Sequence, residues 1–305
     1  MMMLWTSSLF LVVTLTASKA AAFGVTTPTT TTRSSPKSLC LFATSSLSNS
    51  PAAPVDQVVV LEDATAVGNR IREITLNAAN RAVAERGYFA LAIPGGSILK
   101  MLAGDDILGD WTSNTTICYV NHKCVDMDDA KLATHAKAMN IFLNKWKGCN
   151  TIIMDGTDKG EEEAKSYEQK MKALDEKVLP RDSKGLPVFD LALIGVGDDG
   201  HVGSLYPGRD EVLVDDNGPW VLPVDMKSPP SITLSLPVMA NAKQVVVAAC
   251  GVSDKYPQGK SAGMKRAVVA EDENIQTFPA VGLRRVATWV MDKAAASKLG
   301  DEYNK

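Results

Sequence analysis

A histidine, two aspartates and three glycines lie close together after an apolar run, in the segment FDLALIGVGDDGHVGSLYPG at residues 189–208. His201 and Asp199 are two residues apart, and Gly197 and Gly200 lie beside them. The apolar run is typical of a strand buried on both faces of a parallel sheet, and ligands collect beyond the carboxyl ends of such strands. An imidazole, with an ordinary pKa near 6.5, suits acid–base chemistry. The pattern therefore favours a functional loop over a tight turn with a solvated histidine.

The same glycines formally match the dinucleotide-binding pattern G-x-G-x-x-G over residues 195–200. That pattern should open a helix whose first amides receive a pyrophosphate. Here Pro207 and Gly208 follow soon, without a clean helical period, and the segment lies late in the chain. We therefore predict no nicotinamide site and no organic cofactor.

A second candidate site consists of Gly95, Gly96 and Ser97, between the apolar run YFALAI and a helix predicted to begin near Ile98. Backbone amides at the start of a helix favour an anion. The alternative is a routine strand-to-helix turn, and the glycine pair alone does not decide between the two.

A metal site is not expected. His122, Cys124 and His135 could attract a zinc interpretation, but the chain has only three histidines and no second pair of ligands at standard spacing. Packed or solvated side chains explain these residues better.

The elements that position these residues alternate between strand and helix patterns. Strands are predicted at residues 58–61, 88–93, 116–121, 150–155, 189–197, 244–251 and 286–292, and helices at 64–86, from 98 onward, at 129–146, 159–178, 261–270 and 294–299. This alternation predicts an α/β fold: a doubly wound, mostly parallel, Rossmann-like sheet with helices on both faces. We find no internal repeat, so residues 56–305 are expected to form a single domain.

Composition limits the class of protein. The chain has 305 residues, 45% of them hydrophobic and 22% charged, with a net charge of -3. These values argue against a disordered chain, a membrane bundle and a nucleic-acid-binding surface. The four cysteines after residue 56 show neither a C-x-x-C pair nor a dense spacing, so reduced thiols are expected. Oligomeric state is not indicated by the sequence.

The first 55 residues contain no Asp or Glu. Residues 1–22 resemble a signal peptide, with an apolar run too short to span a bilayer and a small-residue end. Residues 23–55 are rich in Ser and Thr and have transit-peptide composition. Together they resemble the bipartite presequence of algae with secondary plastids and predict a plastid stromal protein with no membrane segment in its mature form. Secretion is the alternative.

The chain is similar to the 6-phosphogluconolactonase family, part of a superfamily that includes glucosamine-6-phosphate deaminases and ribose-5-phosphate isomerases. DLALIGVGDDGHVGSLYPG resembles its signature, and further resemblance lies in AIPGGSILKML, PPSITLSLPVMANAKQVVVAACG, GKSAGMKRAV and WVMDKAAASKL. The resemblance covers the mature chain in order. It implies hydrolysis of a phosphorylated sugar lactone, 6-phosphoglucono-1,5-lactone, without metal or cofactor.

The resemblance also implies roles for residues. His201 would be the general base that activates water, and Asp199 would orient the His201 imidazole. Lactone hydrolysis needs donors for a developing oxyanion, which the amides of Gly197 and Gly200 could supply. The Gly95–Ser97 turn would contact phosphate or sugar. The phosphate charge would be neutralised by Lys260, with Lys255 as the alternative. Lys123 would be a further substrate-binding cation.

The sequence departs from the family at several polar positions. Asp-Glu-Arg is replaced by Asn121, His122 and Lys123, a Ser-Asn pair by Leu132 and Ala133, and an Arg by Ser231. The deaminases use an aspartate at the position of Asn121 as a base, and an amide cannot take a proton in this way. They also have a carboxylate five residues after the loop histidine, where this chain has Tyr206. A lactonase is therefore favoured over a deaminase or sugar-phosphate isomerase. The other alternative is a catalytically silent sugar-phosphate-binding protein.

Overall fold

The computed structural model describes residues 57–251 and 259–303. The signal-like segment 1–22, the transit-like segment 23–55 and Lys255 lie outside the described residues, so the expectations for them stay predictions.

The described residues form ten strands and seven α-helices. The strands are β1 Gln57–Leu61, β2 Phe89–Ile93, β3 Thr115–Tyr119, β4 Asn121–Lys123, β5 Asn150–Thr151, β6 Leu191–Gly195, β7 Val221–Val224, β8 Ser231–Leu234, β9 Val245–Ala249 and β10 Ala287–Asp292. The α-helices are α1 Ala64–Arg86, α2 Ser97–Met101, α3 Thr134–Ile141, α4 Gly160–Lys172, α5 Leu236–Ala240, α6 Ser261–Val268 and α7 Lys293–Ala296. Short 3-10 helices cover Asp110–Asn114, Leu143–Lys145, Asp210–Leu213 and Pro279–Leu283.

Seven strands form one sheet in the order β1-β10-β9-β6-β2-β3-β5, and every pairing in it is parallel. From β2 the chain moves outward through β3 to β5, and from β6 it moves the other way through β9 to β10. This reversal between neighbouring strands defines a doubly wound sheet and confirms the predicted α/β fold class. It also creates a crevice between the carboxyl ends of β2 and β6, where ligands bind in such sheets.

The core follows from the apolar runs. Strands β2, β3 and β9 are buried along their whole length, as expected for the middle of a parallel sheet. Helix α1 has the predicted bounds because both its ends are capped. The Asp63 carboxylate accepts from the Ala66 amide at 2.8 Å, and Gly87 adopts the left-handed conformation with a φ of 82°.

Two predicted helices are shorter in the structure because aspartate side chains form local turns instead. Residues 129–133 precede α3 as a turn in which the Asp129 carboxylate accepts from the amides of Lys131 and Leu132, both at 2.8 Å. After α4, the Asp175 carboxylate accepts from the Lys177 amide at 2.7 Å. Aspartate competes with helical hydrogen bonding in this way.

A second sheet was not predicted. It has three antiparallel strands in the order β4-β8-β7. The predicted strand at residues 116–121 is divided, because β3 ends at Tyr119 and β4 begins at Asn121 in the other sheet. Helix α4 packs against this small sheet.

Cys118, Cys124, Cys149 and Cys250 are unpaired thiols, as expected. Among the residues the structure describes, no helix is both long and apolar enough to cross a bilayer.

A buried ion pair lies at the amino-terminal edge of the large sheet, opposite the crevice. The Asp190 side chain is 3% exposed and accepts from Arg86 at 2.6 and 3.0 Å and from the Ala90 amide at 2.9 Å. It thereby joins the end of α1 to the starts of β2 and β6.

Replacing this carboxylate should destabilise the fold without touching the crevice. We expect Asp190→Ala to lower the free energy of unfolding by about 3–5 kcal/mol, because a half-buried guanidinium and a buried amide lose their acceptor. Asp105→Ala is the matched control: its carboxylate is 78% exposed and pairs with Lys145, so a loss below about 1 kcal/mol is expected. Urea denaturation measures the free energy of unfolding of both variants. Equal losses in the two would contradict a stabilising role for the buried Asp190 carboxylate.

Candidate active site

The two candidate loops meet at the reversal of strand order. Strands β2 and β6 are paired in register, with Leu91 beside Leu191, so the loops that follow them leave the same edge of the sheet. A Cβ on Gly195, the last residue of β6, would lie 3.9 Å from the Ile98 side chain of α2. The structure therefore brings the loop that contains Gly95, Gly96 and Ser97 to the base of the histidine loop.

Glycines shape the histidine loop by leaving room for other groups. The Gly197 N–H donates to the His201 carbonyl at 2.9 Å, and the Gly200 N–H donates to the Gly197 carbonyl at 3.2 Å. A Cβ on Gly197 would lie 2.2 Å from Nδ1 of His201, so only glycine lets the imidazole fold back over the loop. Gly200 has a φ of 85°, and a Cβ there would lie 2.4 Å from the Phe278 ring. Both N–H groups have acceptors inside the loop, and their predicted role in substrate binding stays a prediction.

The loop orients the imidazole of His201 through Asp199. The Asp199 carboxylate accepts from Nδ1 at 2.6 Å and from the His201 backbone amide at 3.1 Å. Burial alone would raise the pKa of the Asp199 carboxyl. The hydrogen bonds from His201 have the larger, opposite effect and lower this pKa to about 2. A carboxylate ionised at neutral pH can only accept, so Nδ1 carries the proton and Nε2 is left as a base. The His201 side chain is 16% exposed, which leaves solvent access to the ring.

A tyrosine covers the imidazole. The Tyr206 ring lies 4.8 Å from the His201 ring, centroid to centroid, at an interplanar angle of 33°. Tyr206 thus occupies the position where the resemblance places a deaminase carboxylate, and it contacts the imidazole with an aromatic ring instead.

The small sheet forms another wall of the site. Asn121 Nδ2 donates to the Ser204 hydroxyl at 3.2 Å, and the Ser204 amide donates to the Thr233 hydroxyl at 3.1 Å. Lys123 is two residues beyond Asn121 and therefore lies on the same face of β4. Its register partner is Ser231, the first residue of β8.

Sequence reasoning missed two contributors to the site, Ser204 and Thr233. Ser204 lies in the same glycine-rich segment as His201, and its nearness was the available signal. Thr233 is 29 residues away, and only the fold brings it to the loop.

Lys260 lies beneath the histidine loop. It is 8% exposed, its ammonium group donates to the Val196 carbonyl at 2.9 Å, and its amide donates to the Gly251 carbonyl at 2.9 Å. The Gly251 amide in turn donates to the Asp292 carboxylate at 2.8 Å. The structure thus places Lys260 at the start of the loop that carries His201.

His122 and His135 are used in packing. The His122 ring is buried, its Nε2 accepts from the His135 amide at 3.0 Å, and Nδ1 therefore donates to the Lys123 carbonyl at 2.7 Å. Burial lowers the pKa of His122 to about 4. The neutral ring thus caps the first turn of α3, whose Thr134 hydroxyl would lie 3.1 Å from a Cβ on Gly95. The described residues contain no cluster of three or more metal-ligating side chains.

Comparisons with known proteins identify a family and several relatives. Residues 62–290 match the family described as glucosamine-6-phosphate isomerases/6-phosphogluconolactonase. The chain is 30% identical over 245 residues to 6-phosphogluconolactonase 3, chloroplastic, from Arabidopsis thaliana, which covers 75% of this chain and 71% of the relative. It is 31% identical over 238 residues to the 6-phosphogluconolactonase of Homo sapiens, covering 72% and 84%.

Solved structures show the same fold. The crystal structure of 6-phosphogluconolactonase from Leishmania guyanensis superposes with a TM-score of 0.66 at 23% identity, and the match covers 81% of this chain and 99% of that one. At this level of identity the likeness supports the fold.

The buried imidazole of His122 should make stability depend on pH. Its pKa lies at about 4 in the folded chain and at 6.5 in the unfolded chain, so the unfolded chain takes up the extra proton and stability is lost as pH falls from 6.5 to 4. We expect wild type to lose roughly 3 kcal/mol more than His122→Gln across this window, because each pKa unit is worth about 1.4 kcal/mol. Urea denaturation at several pH values measures this, and parallel profiles would contradict it.

Proposed function

We propose, because the chain belongs to the family of glucosamine-6-phosphate isomerases and 6-phosphogluconolactonases, that it is a lactone hydrolase that converts 6-phosphoglucono-1,5-lactone to 6-phosphogluconate. The relatives compared above are named for this activity. The observation that carries the proposal is the imidazole of His201, oriented by Asp199 at the crevice of the doubly wound sheet.

His201 is the proposed general base. Its Nε2 accepts a proton from water as the water oxygen bonds to the lactone carbonyl carbon. The tetrahedral intermediate then collapses, the bond between this carbon and the ring oxygen breaks, and the ring oxygen takes the proton from Nε2 to become a hydroxyl group. Asp199 stabilises the imidazolium that exists between the two proton transfers, since its carboxylate bonds Nδ1.

The phosphorylated end of the substrate needs donors and cations. The proposed contacts are the turn at Gly95, Gly96 and Ser97, which reaches the base of the histidine loop, together with Lys123 and Lys260. Lys260 is nearly buried, so its charge acts in a setting of low dielectric. Asn121 and Ser204, which are hydrogen-bonded to each other, form the wall of the site on the side of the small sheet.

Deamination or isomerisation of a sugar phosphate receives less support from the site. An enolising base is missing at residue 121, where the Asn121 amide is hydrogen-bonded to Ser204. At the second position, the ring of Tyr206 lies against His201. An amide cannot accept a proton at neutral pH, and the Tyr206 ring brings no carboxylate to the imidazole.

The mature enzyme is proposed to work in a plastid stroma. Support comes from the acid-free, Ser/Thr-rich segment 23–55 behind the signal-like segment 1–22 and from the chloroplastic relative in Arabidopsis thaliana. Unpaired thiols at all four cysteines after residue 56 fit a reducing compartment.

Removing the imidazole tests the reaction. We expect His201→Ala to lower kcat/KM for 6-phosphoglucono-1,5-lactone, generated in situ, by at least about 100-fold, the usual scale for a lost general base. Residues 56–305 are used for both proteins, and lactone loss is followed against its spontaneous rate. Binding of 6-phosphogluconate and the thermal midpoint serve as controls that the variant is folded.

Three results would contradict this proposal. They are unchanged hydrolysis by His201→Ala, release of ammonia from glucosamine 6-phosphate by wild type, and binding of 6-phosphogluconate by wild type without any turnover of the lactone. The second result would indicate a deaminase, and the third a silent sugar-phosphate-binding protein.

Fusions to a fluorescent protein test the compartment. We expect residues 1–55 to direct it to the plastid stroma of an alga with a secondary plastid, because the signal-like and transit-like parts act in sequence. Residues 1–22 alone, the control, should send it into the secretory pathway. Secretion of the longer fusion would support the alternative.

A further inference from the structure

Lys227 is a cation that touches the site from the loop between β7 and β8. Its ammonium group donates to the Tyr206 hydroxyl at 3.1 Å and lies 4.4 Å from the centroid of the Tyr206 ring. The Tyr206 ring also contacts the imidazole of His201. The ammonium group and the proposed base therefore contact the same aromatic ring.

The charge of Lys227 is not neutralised within the described part of the chain. Asp225, the nearest acid to Lys227 in sequence, accepts from Arg209 at 3.1 Å, and Arg209 also pairs with Glu211 at 2.6 Å. Lys227 forms no ion pair with any described residue, and it is exposed. A solvent-facing ammonium group beside an active site is available for an anionic ligand.

The fold brings a second lysine to the same end of the small sheet. Strand β7 ends at Val224, β8 begins at Ser231, and these two residues are register partners. Lys123 of β4 is in turn the register partner of Ser231. Lys123 and the loop that carries Lys227 are thus neighbours, and Lys123 lies on the face of β4 whose Asn121 reaches the histidine segment through Ser204.

We infer that Lys227, held by Tyr206, binds the phosphate group of the substrate and makes the enzyme specific for a phosphorylated lactone; this rests on the proposed function. Because the Tyr206 ring lies 4.8 Å from the imidazole and 4.4 Å from the ammonium group, one phosphorylated lactone can reach both groups. A phosphate dianion needs more than one cation, and Lys227 adds one to Lys123 and Lys260, from the loop that leads into β8, the strand next to β4.

Lys227→Met tests this role, with the phosphorylated lactone and unphosphorylated glucono-1,5-lactone as substrates. We expect KM for the phosphorylated lactone and the inhibition constant of inorganic phosphate to rise about 10-fold, while kcat changes little, because a charge-assisted hydrogen bond to the bound group is lost. Activity on the unphosphorylated lactone should stay as in wild type. Lys227→Arg, which keeps the charge, should restore most of the affinity.

Lys177→Met is the matched control. Lys177 is also exposed, but its carbonyl accepts from Arg86 at the amino-terminal edge of the sheet, far from the crevice. It should leave both constants unchanged. Unchanged constants in Lys227→Met, or an equal fall in kcat for both substrates, would overturn the inference.

Direct binding separates this inference from the proposed function. Calorimetric titration with 6-phosphogluconate needs no turnover, so weaker binding by Lys227→Met supports phosphate recognition even if wild type were inactive. Active wild type with equal binding in both proteins would overturn the role of Lys227 alone.

Discussion

The hydrogen bond of 2.6 Å between the Asp199 carboxylate and Nδ1 of His201 is the interaction on which the rest of the site depends. It fixes the imidazole tautomer, because an ionised carboxylate can only accept. The two residues can meet only where the loop turns back on itself, and that turn leaves no room for a Cβ on Gly197. Phe278 packs under Gly200, so it limits the loop from below. The glycines therefore set the orientation of the imidazole.

The parallel sheet supplies the place for this loop. Because the strand order reverses between β2 and β6, two loops that are 100 residues apart in sequence leave the same edge side by side. At the opposite edge, the ion pair of Arg86 and Asp190 joins the same two strands. The ion pair and the proposed site thus lie at opposite ends of β2 and β6. This separation lets loops at one edge vary while the sheet below them stays intact.

Much of this arrangement could be predicted from local sequence. The buried strands, helix α1 with its caps, and the segment that contains His201 and Asp199 depend on patterns a few residues long. The small sheet could not be predicted, because its strands have three or four residues and pair over distances that only the complete fold closes. For the same reason the wall formed by Asn121 and Ser204, 83 residues apart, was not foreseen. The replacement of Glu by His122 also has a local explanation, since a neutral imidazole caps α3 by accepting from an amide.

Which nitrogen of His201 is available as the proposed base can be determined by ¹⁵N NMR of the histidine rings. The chain has three histidines, so His201→Gln assigns the resonances of one ring without ambiguity. In the neutral ring we expect Nδ1 of His201 to carry the proton and Nε2 to have the shift of an unprotonated nitrogen, which moves when 6-phosphogluconate is added. A proton on Nε2, or a ring that does not respond to that ligand, would contradict this expectation.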